Sequence, residues 1–240
     1  MNIVRKDKFE YIKYESGNAA AIFFTAYEGA DFYMQGESFQ ANMNMVKNIF
    51  KLKNIGYNKQ IHSDIITIFD KTIQEGDAIV TDEANTALGV FTADCVPVLV
   101  YDNVKKVCAA VHSGWKGTYN RITEKTIRFM KDRFGCESNN MSVFIGPHIG
   151  ACCYEVGQEL IELFMKDTLY KDYEIIVGRK LNLEMCIKAQ CHNEGIYMEN
   201  IHTTELCTHC SGHSGKAEFH SYRKQKEKSG RMLSMIYFKE

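Results

Sequence analysis

The stretch TADCVPVLVYDNVKKVCAAVHSGWKGT (residues 92–118) decides the reading of this chain. Two short apolar runs, 96–101 and 107–111, have the length and β-branched content of strands. Cys95 stands just before the first run and His112 just after the second. If the strands pair antiparallel, the start of one lies beside the end of the other. Cys95 and His112 then become neighbours in space although they are far apart in sequence. A glycine-bearing turn, Ser113-Gly114-Trp115-Lys116-Gly117-Thr118, follows the histidine directly.

Working outward, 19–25, 78–81, 88–92, 142–145 and 232–238 read as further strands. Helical spacing of apolar residues marks 42–52, 118–134, 157–165 and 183–194. Strands and helices mix without a regular βαβ alternation, which predicts an α+β fold with a mixed β-sheet core flanked by helices. The two prolines, Pro97 and Pro147, and the absence of a Gly/Ser-rich linker, a repeat or a low-complexity tract predict one domain over 1–240.

Composition narrows the function classes. Of the 240 residues, 45% are hydrophobic and 25% charged, and the net charge is −1. This balance gives no global attraction to nucleic acid or anionic lipid. No apolar run approaches the roughly 20 residues of a membrane span. The charged start MNIVRKDKFEYIKYESG has no apolar signal core, so a cytoplasmic location is expected. Nine cysteines, an odd number without a secretory signal, argue against a disulfide framework and leave metal binding or catalysis as their uses.

Three residues form the strongest constellation: His62 in QIHSD, Cys95 in TADCVP and His112 in VHSGWKG. Each lies where an apolar segment meets its loops. Two imidazoles and one thiolate suit zinc, and three protein ligands with an open fourth position is the catalytic pattern. The bland alternative gives the three separate packing and hydrogen-bonding roles. The turn after His112 reads either as an anion cradle with Lys116 or as a structural strand-to-helix turn with Thr118 as N-cap. Near the C-terminus, Cys207-Thr208-His209-Cys210 followed by His213 and His220 resembles a zinc knuckle. A closed structural site needs four ligands, and no second pair stands at standard spacing, so this segment is read as a C-terminal turn. The chain has no H-x-H pair, which argues against a multicopper cluster.

An ordered set of motifs then carries a resemblance. It comprises Gln60-Ile61-His62, GDAIVT from Gly76, Asp94-Cys95-Val96-Pro97, His112-Ser113-Gly114-Trp115, Ile145-Gly146-Pro147, Cys153-Tyr154-Glu155-Val156, Cys207-Thr208, Ser221-Tyr222-Arg223 and Gly230-Arg231. From about residue 19 to the end the sequence resembles the YfiH/YlmD family. Its members were catalogued as laccase-domain polyphenol oxidases and are described as zinc-dependent purine nucleoside phosphorylases with adenosine deaminase activity. The resemblance implies a YfiH-like fold and a zinc site, with copper possible by substitution, and places His62, Cys95 and His112 on the three ligand positions. It implies phosphate and purine nucleosides as substrates: adenosine, inosine, guanosine and 5′-methylthioadenosine. Asp77 and Asp94 are then candidates for the acid/base carboxylate, Asp77 preferred, and Lys116 and Arg223 for anion binding. A monomer or homodimer is expected. Two departures stand out. Ala26 replaces a usual arginine in the N-terminal motif, and Lys116 replaces the arginine after the tryptophan, keeping charge but losing bidentate geometry. Two rival readings remain: a cysteine hydrolase with Cys95 as nucleophile and His112 as base, and a zinc-binding protein without catalysis.

Overall fold

The apolar runs of the opening stretch become adjacent antiparallel strands in the computed structural model, which describes residues 2–211 and 218–240. In chain order the first elements are strands β1 (Asn2–Lys6), β2 (Phe9–Ser16) and β3 (Ala19–Phe24) and helix α1 (Phe39–Phe50). Strands β4 (Asn54–Tyr57), β5 (Ile66–Ile68), β6 (Ala78–Thr81), β7 (Thr86–Thr92), β8 (Val96–Asp102) and β9 (Val107–Ser113) follow. Then come helices α2 (Trp115–Tyr119) and α3 (Ile122–Phe134), strand β10 (Met141–Ile145) and helix α4 (Gln158–Met165). The chain closes with β11 (Ile176–Val177), β12 (Lys180–Leu181), α5 (Leu183–Asn193), β13 (Ile201–Thr203), α6 (Tyr222–Gln225) and β14 (Met232–Phe238).

Two six-stranded sheets result, ordered β1-β2-β3-β14-β7-β4 and β13-β10-β8-β9-β6-β5, with β11 and β12 as a separate pair. Both large sheets are mixed: β4 joins β7 in parallel, as do β5 with β6 and β10 with β13. The period-two alternation of side chains explains the layering. Val96, Val98 and Val100 of β8, with Val107, Ala109 and Val111 of β9, pack against Ile122, Ile127, Met130 and Ile187 of α3 and α5. Their alternates, Leu99, Tyr101, Cys108 and Ala110, meet Ala21, Phe23, Leu88 and Ile236 of the other sheet. That sheet's far side, including Ile22, Phe24 and Met235, packs on Phe39, Met43 and Val46 of α1. The order is helix, sheet, sheet, helix. Central strands covered on both faces read as unbroken apolar runs, which is why they were legible.

The structure adjusts three expectations. The helix expected over 118–134 is two helices, because Arg121 adopts a left-handed φ of 60° between them. Its guanidinium is tied to Asp167 at 2.6 Å. Thr118 is not an N-cap: it is buried inside α2, its hydroxyl 2.8 Å from that of Ser113. The charged N-terminal stretch forms the hairpin β1–β2 at a sheet edge, where β1 is largely exposed and polar residues are tolerated. Among the described residues no helix is long and apolar enough to cross a membrane.

Candidate metal centre

Register sets the site. Pro97 of β8 pairs with His112 of β9, and Val96 with Ser113. Cys95 therefore comes to lie against Gly114, as expected from the antiparallel reading: a Cβ at Gly114 would sit 3.0 Å from Cys95 Sγ and 3.3 Å from His62 Cδ2. On the other side of β9, Ala78 pairs with Val111, which puts Asp77 beside His112. The His112 N–H donates to the Asp77 carbonyl at 2.7 Å.

His62 arrives from the loop between β4 and β5. Gln60 anchors that loop by imitating a strand partner: its Nε2 donates to the Phe91 carbonyl at 2.8 Å and its Oε1 accepts from the Phe91 N–H at 2.7 Å. His62 itself is held at φ 58°, in the left-handed region that a side chain other than glycine occupies only under external constraint. The constraint is the Asp77 carboxylate. It accepts from the backbone N–H groups of Ile61 (3.3 Å), His62 (3.1 Å) and Ser63 (2.6 Å), and from the Ser63 hydroxyl (2.6 Å). The outcome is a cluster in which ligand atoms of His62, Cys95 and His112 all lie within 4.8 Å of one another. The two imidazole rings meet nearly at right angles, 84°, with centroids 4.9 Å apart.

These donors fit a metal ion. His112 Nδ1 lies 2.8 Å from Asp77 Oδ1, and donation from Nδ1 to the carboxylate leaves Nε2 with its lone pair free to ligate. Asp77 is almost wholly buried. Burial alone would raise its pKa, but the hydrogen bonds from His112 and Ser63 outweigh it and bring the value down to about 2. Burial likewise opposes a Cys95 thiolate, yet the adjacent His112 and His62 lower the thiol to about 6. Burial also disfavours charge on His112, but the Cys95 sulfur and Asp77 raise it to about 9. In the metal-free protein the two shifts together favour a thiolate–imidazolium pair of Cys95 and His112.

The two carboxylates named as acid/base candidates are both engaged in hydrogen bonds. Both Asp77 oxygens are committed to the loop and to His112, so the residue is a fixed anion behind two ligand positions. Asp94 is also committed: its Oδ1 accepts from the Thr208 hydroxyl and its Oδ2 from the Arg223 N–H, each at 2.6 Å. Its φ of 88° makes it a second strained residue at the site. Arg223 lies 5.4 Å above the Tyr154 ring and donates to the Glu155 carbonyl at 3.1 Å. Tyr154, quoted in a motif but given no role from sequence, is the neighbour that sequence reasoning missed. Burial first, and then the nearby Cys95 charge, push its phenol up to about 12. Lys116 is exposed, 5.6 Å from the Trp115 ring centroid, and makes no ion pair among the described residues.

The segment read as a plain C-terminal turn is corrected. Cys207 and Cys210 meet a second pair of thiols, the adjacent Cys152 and Cys153, and the four sulfurs lie within 4.8 Å of one another. His220 is not part of that cluster and contacts the Ala30 carbonyl through Nε2 at 2.8 Å, while His213 lies outside the described residues.

Residues 30–239 match the family described as multi-copper polyphenol oxidoreductase laccase. The chain belongs to that family. A Clostridium acetobutylicum member named purine nucleoside phosphorylase is 44% identical over 238 residues, 98% of this chain and 99% of its own. The Bacillus subtilis protein named purine nucleoside phosphorylase YlmD is 30% identical over 176 residues, covering 72% of this chain and 62% of its own. The crystal structure of YfiH, a hypothetical protein of Bacillus licheniformis, superposes with a TM-score of 0.85 at 26% identity over 97% of each chain. The resemblance read from the motifs and the α+β fold therefore both stand. For this laccase-family chain the donor set is narrower than the family description. Among the described residues the convergent sets are one His₂Cys group and one group of four cysteines, not the several paired imidazoles of a multicopper cluster.

Gly114 offers a direct test of the packing. Its φ of −74° is open to any residue, so only the close approach of Cys95 and His62 requires glycine. Gly114→Ala is expected to spread the ligands, lowering metal occupancy and destabilising the protein by about 1–3 kcal/mol, the range for overpacking. Metal analysis and thermal denaturation read both effects, and unchanged values in both would contradict the cluster geometry.

Proposed function

We propose that the chain is a zinc-dependent purine nucleoside phosphorylase that also deaminates adenosine. The observation that carries this reading is the convergence of His62, Cys95 and His112 in a chain that aligns end to end with a relative bearing the phosphorylase name. Its substrates are adenosine, inosine, guanosine and 5′-methylthioadenosine with phosphate. Two nitrogens and one sulfur suit zinc, and three protein donors leave a coordination position open. When bound, zinc supplies a Lewis acid beside the substrate.

The chain's own residues set the rest. In phosphorolysis a phosphate oxygen bonds to C1′ as the glycosidic bond breaks, and the departing purine nitrogen takes a proton. Asp77 fixes the His112 tautomer and the His62 loop, and Asp94 fixes Thr208 and the Arg223 backbone; both act by positioning. Tyr154, held protonated at neutral pH, is a hydrogen-bond donor next to the cluster. Lys116 and Arg223 supply positive charge for phosphate.

Lys116→Ala separates the two activities. A hydrogen bond to a charged group contributes roughly 1.5–3 kcal/mol, so its loss is expected to raise the KM for phosphate by about tenfold or more. Metal stays bound, and deamination, which uses no phosphate, falls less. Equal losses in both activities would remove Lys116 from phosphate binding. The reading itself is tested by incubating the metal-replete protein with the four nucleosides, with and without phosphate. Free base and the sugar 1-phosphate are expected only when phosphate is present; free ribose would overturn it.

A further inference from the structure

Outside this cluster, the group of four cysteines is the densest set of metal-ligating side chains among the described residues, and nothing in the proposed reaction uses it. Topology explains how it forms. Strands β10 and β13 are parallel neighbours, with Ile145 opposite Thr203, so the loops that follow them leave the same end of the sheet side by side. The pairing continues past the strands: the His148 N–H donates to the Leu206 carbonyl at 3.3 Å and the Thr208 N–H to the His148 carbonyl at 2.9 Å. One loop brings Cys152 and Cys153; the other brings Cys207 and Cys210.

We propose that Cys152, Cys153, Cys207 and Cys210 bind a second zinc ion as a closed tetrathiolate site that fastens these two loops together. The four sulfurs, all within 4.8 Å of one another, are close enough to share one ion. A zinc ion with Zn–S bonds of about 2.3 Å holds its sulfurs about 3.8 Å apart along each tetrahedral edge. The Cys152 and Cys210 sulfurs are 3.7 Å apart. A disulfide needs about 2.05 Å and would use only two of the four. Cys207 is supported as a zinc-knuckle cysteine would be. The Gly150 N–H donates to its sulfur at 3.3 Å. Gly150 packs closely against the group: a Cβ there would stand 3.3 Å from Cys152 Sγ and 3.4 Å from Cys207 Cβ.

The site has a consequence for the first cluster. Thr208, inside the C-x-x-C turn, donates to Asp94, and Ile149 of the other loop donates its N–H to the Asp94 carbonyl at 2.9 Å. Fastening the loops holds the residue that precedes Cys95. The ion is therefore structural in place and positioning in effect, and its four protein ligands leave it no open position for chemistry.

The test uses the full chain purified without chelator. Cys95→Ala removes the first site's sulfur, so the metal that remains reports the second. Expected is close to one zinc per chain in Cys95→Ala, with zinc-edge X-ray absorption showing a sulfur-only shell at about 2.3 Å. Cobalt substitution of the same variant is expected to give the intense thiolate-to-metal bands of a tetrahedral sulfur site. Cys152→Ser and Cys210→Ser are each expected to lose that second zinc, lower the thermal midpoint and retain zinc at His62, Cys95 and His112. Metal-free Cys95→Ala protein, four freely reactive thiols in its native state, iron in place of zinc, or a Cys152–Cys210 disulfide would each overturn the proposal. The absorption measurement needs no change to the four cysteines, so it stands even if the serine variants fail to fold.

Discussion

Cys95→Ala and His112→Ala are each expected to lose the metal of the His62–Cys95–His112 cluster and, with it, nearly all turnover of inosine. Three protein ligands are few, and removing one leaves a pair. Loss of a mere outer hydrogen-bond partner weakens a site by about 10–100-fold, so loss of a ligand exceeds that range. The histidine variant is the harsher of the two, because it also leaves the buried Asp77 carboxylate without the imidazole that lies 2.8 Å away. Metal retained per chain after equilibration with a competing chelator, beside the rate of base release, reads both effects. Both variants keeping the metal at this cluster would remove Cys95 and His112 from the ligand set.

Asp77→Asn is expected to have the next largest effect, although Asp77 is not a ligand. The carboxylate holds His112 by Nδ1 and three consecutive backbone N–H groups of the His62 loop. An amide has one acceptor oxygen where the carboxylate has two, and its NH₂ opposes donors that now point at it. Metal affinity is expected to fall about 10–100-fold, the range for outer partners of ligating histidines. A second readout follows from charge. Asp77 is depressed to about 2 in the fold, below the roughly 3.9 of an unfolded aspartate. Its contribution to stability is therefore present above about pH 4 and lost as pH falls towards 2. Metal-free wild type is expected to lose stability across that window more steeply than Asp77→Asn. In the same metal-free state, His112 is expected to titrate lower in the variant, because one of the two anions that raise it is gone. An unchanged His112 titration with unchanged metal affinity would leave Asp77 a structural residue only.

Much of this was legible before the fold. Strands β3, β8, β9 and β14 lie between two layers, so burial on both faces wrote them as apolar runs. Strand β1 escaped because an exposed edge tolerates the charges of Arg5 and Lys6, and β2 because Glu10, buried but paired with Arg5, and the half-buried Lys13 interrupt its apolar run. Strands β4, β5 and β13, of three or four residues, are too short to carry a period. Cys95 and His112 were legible because one antiparallel pairing of sequence neighbours brings them together. His62 was grouped with them by residue type and its place at a segment end, but no local pairing brings it there: its position depends on Gln60 reaching the distant Phe91. What Asp77 faces was hidden for the same reason: it is set by the register of β6 on β9, not by its own turn. The four-cysteine cluster was hidden by the parallel pairing of β10 with β13. That contact joins two vicinal cysteines to a C-x-x-C turn far along the chain, at no standard ligand spacing.

The most direct measurement is inosine phosphorolysis by protein stripped of metal and then reloaded. The extracted protein is expected to be inactive, to regain release of hypoxanthine and ribose 1-phosphate as zinc is added, and to fail to regain it in Cys95→Ala. Between about pH 6 and 9 the stripped protein carries Cys95 as a thiolate beside a protonated His112, so an alkylating reagent is expected to label Cys95 there and zinc to protect it. Full turnover by the metal-free protein, abolished on alkylation of Cys95, would contradict the zinc phosphorylase and make Cys95 a nucleophile.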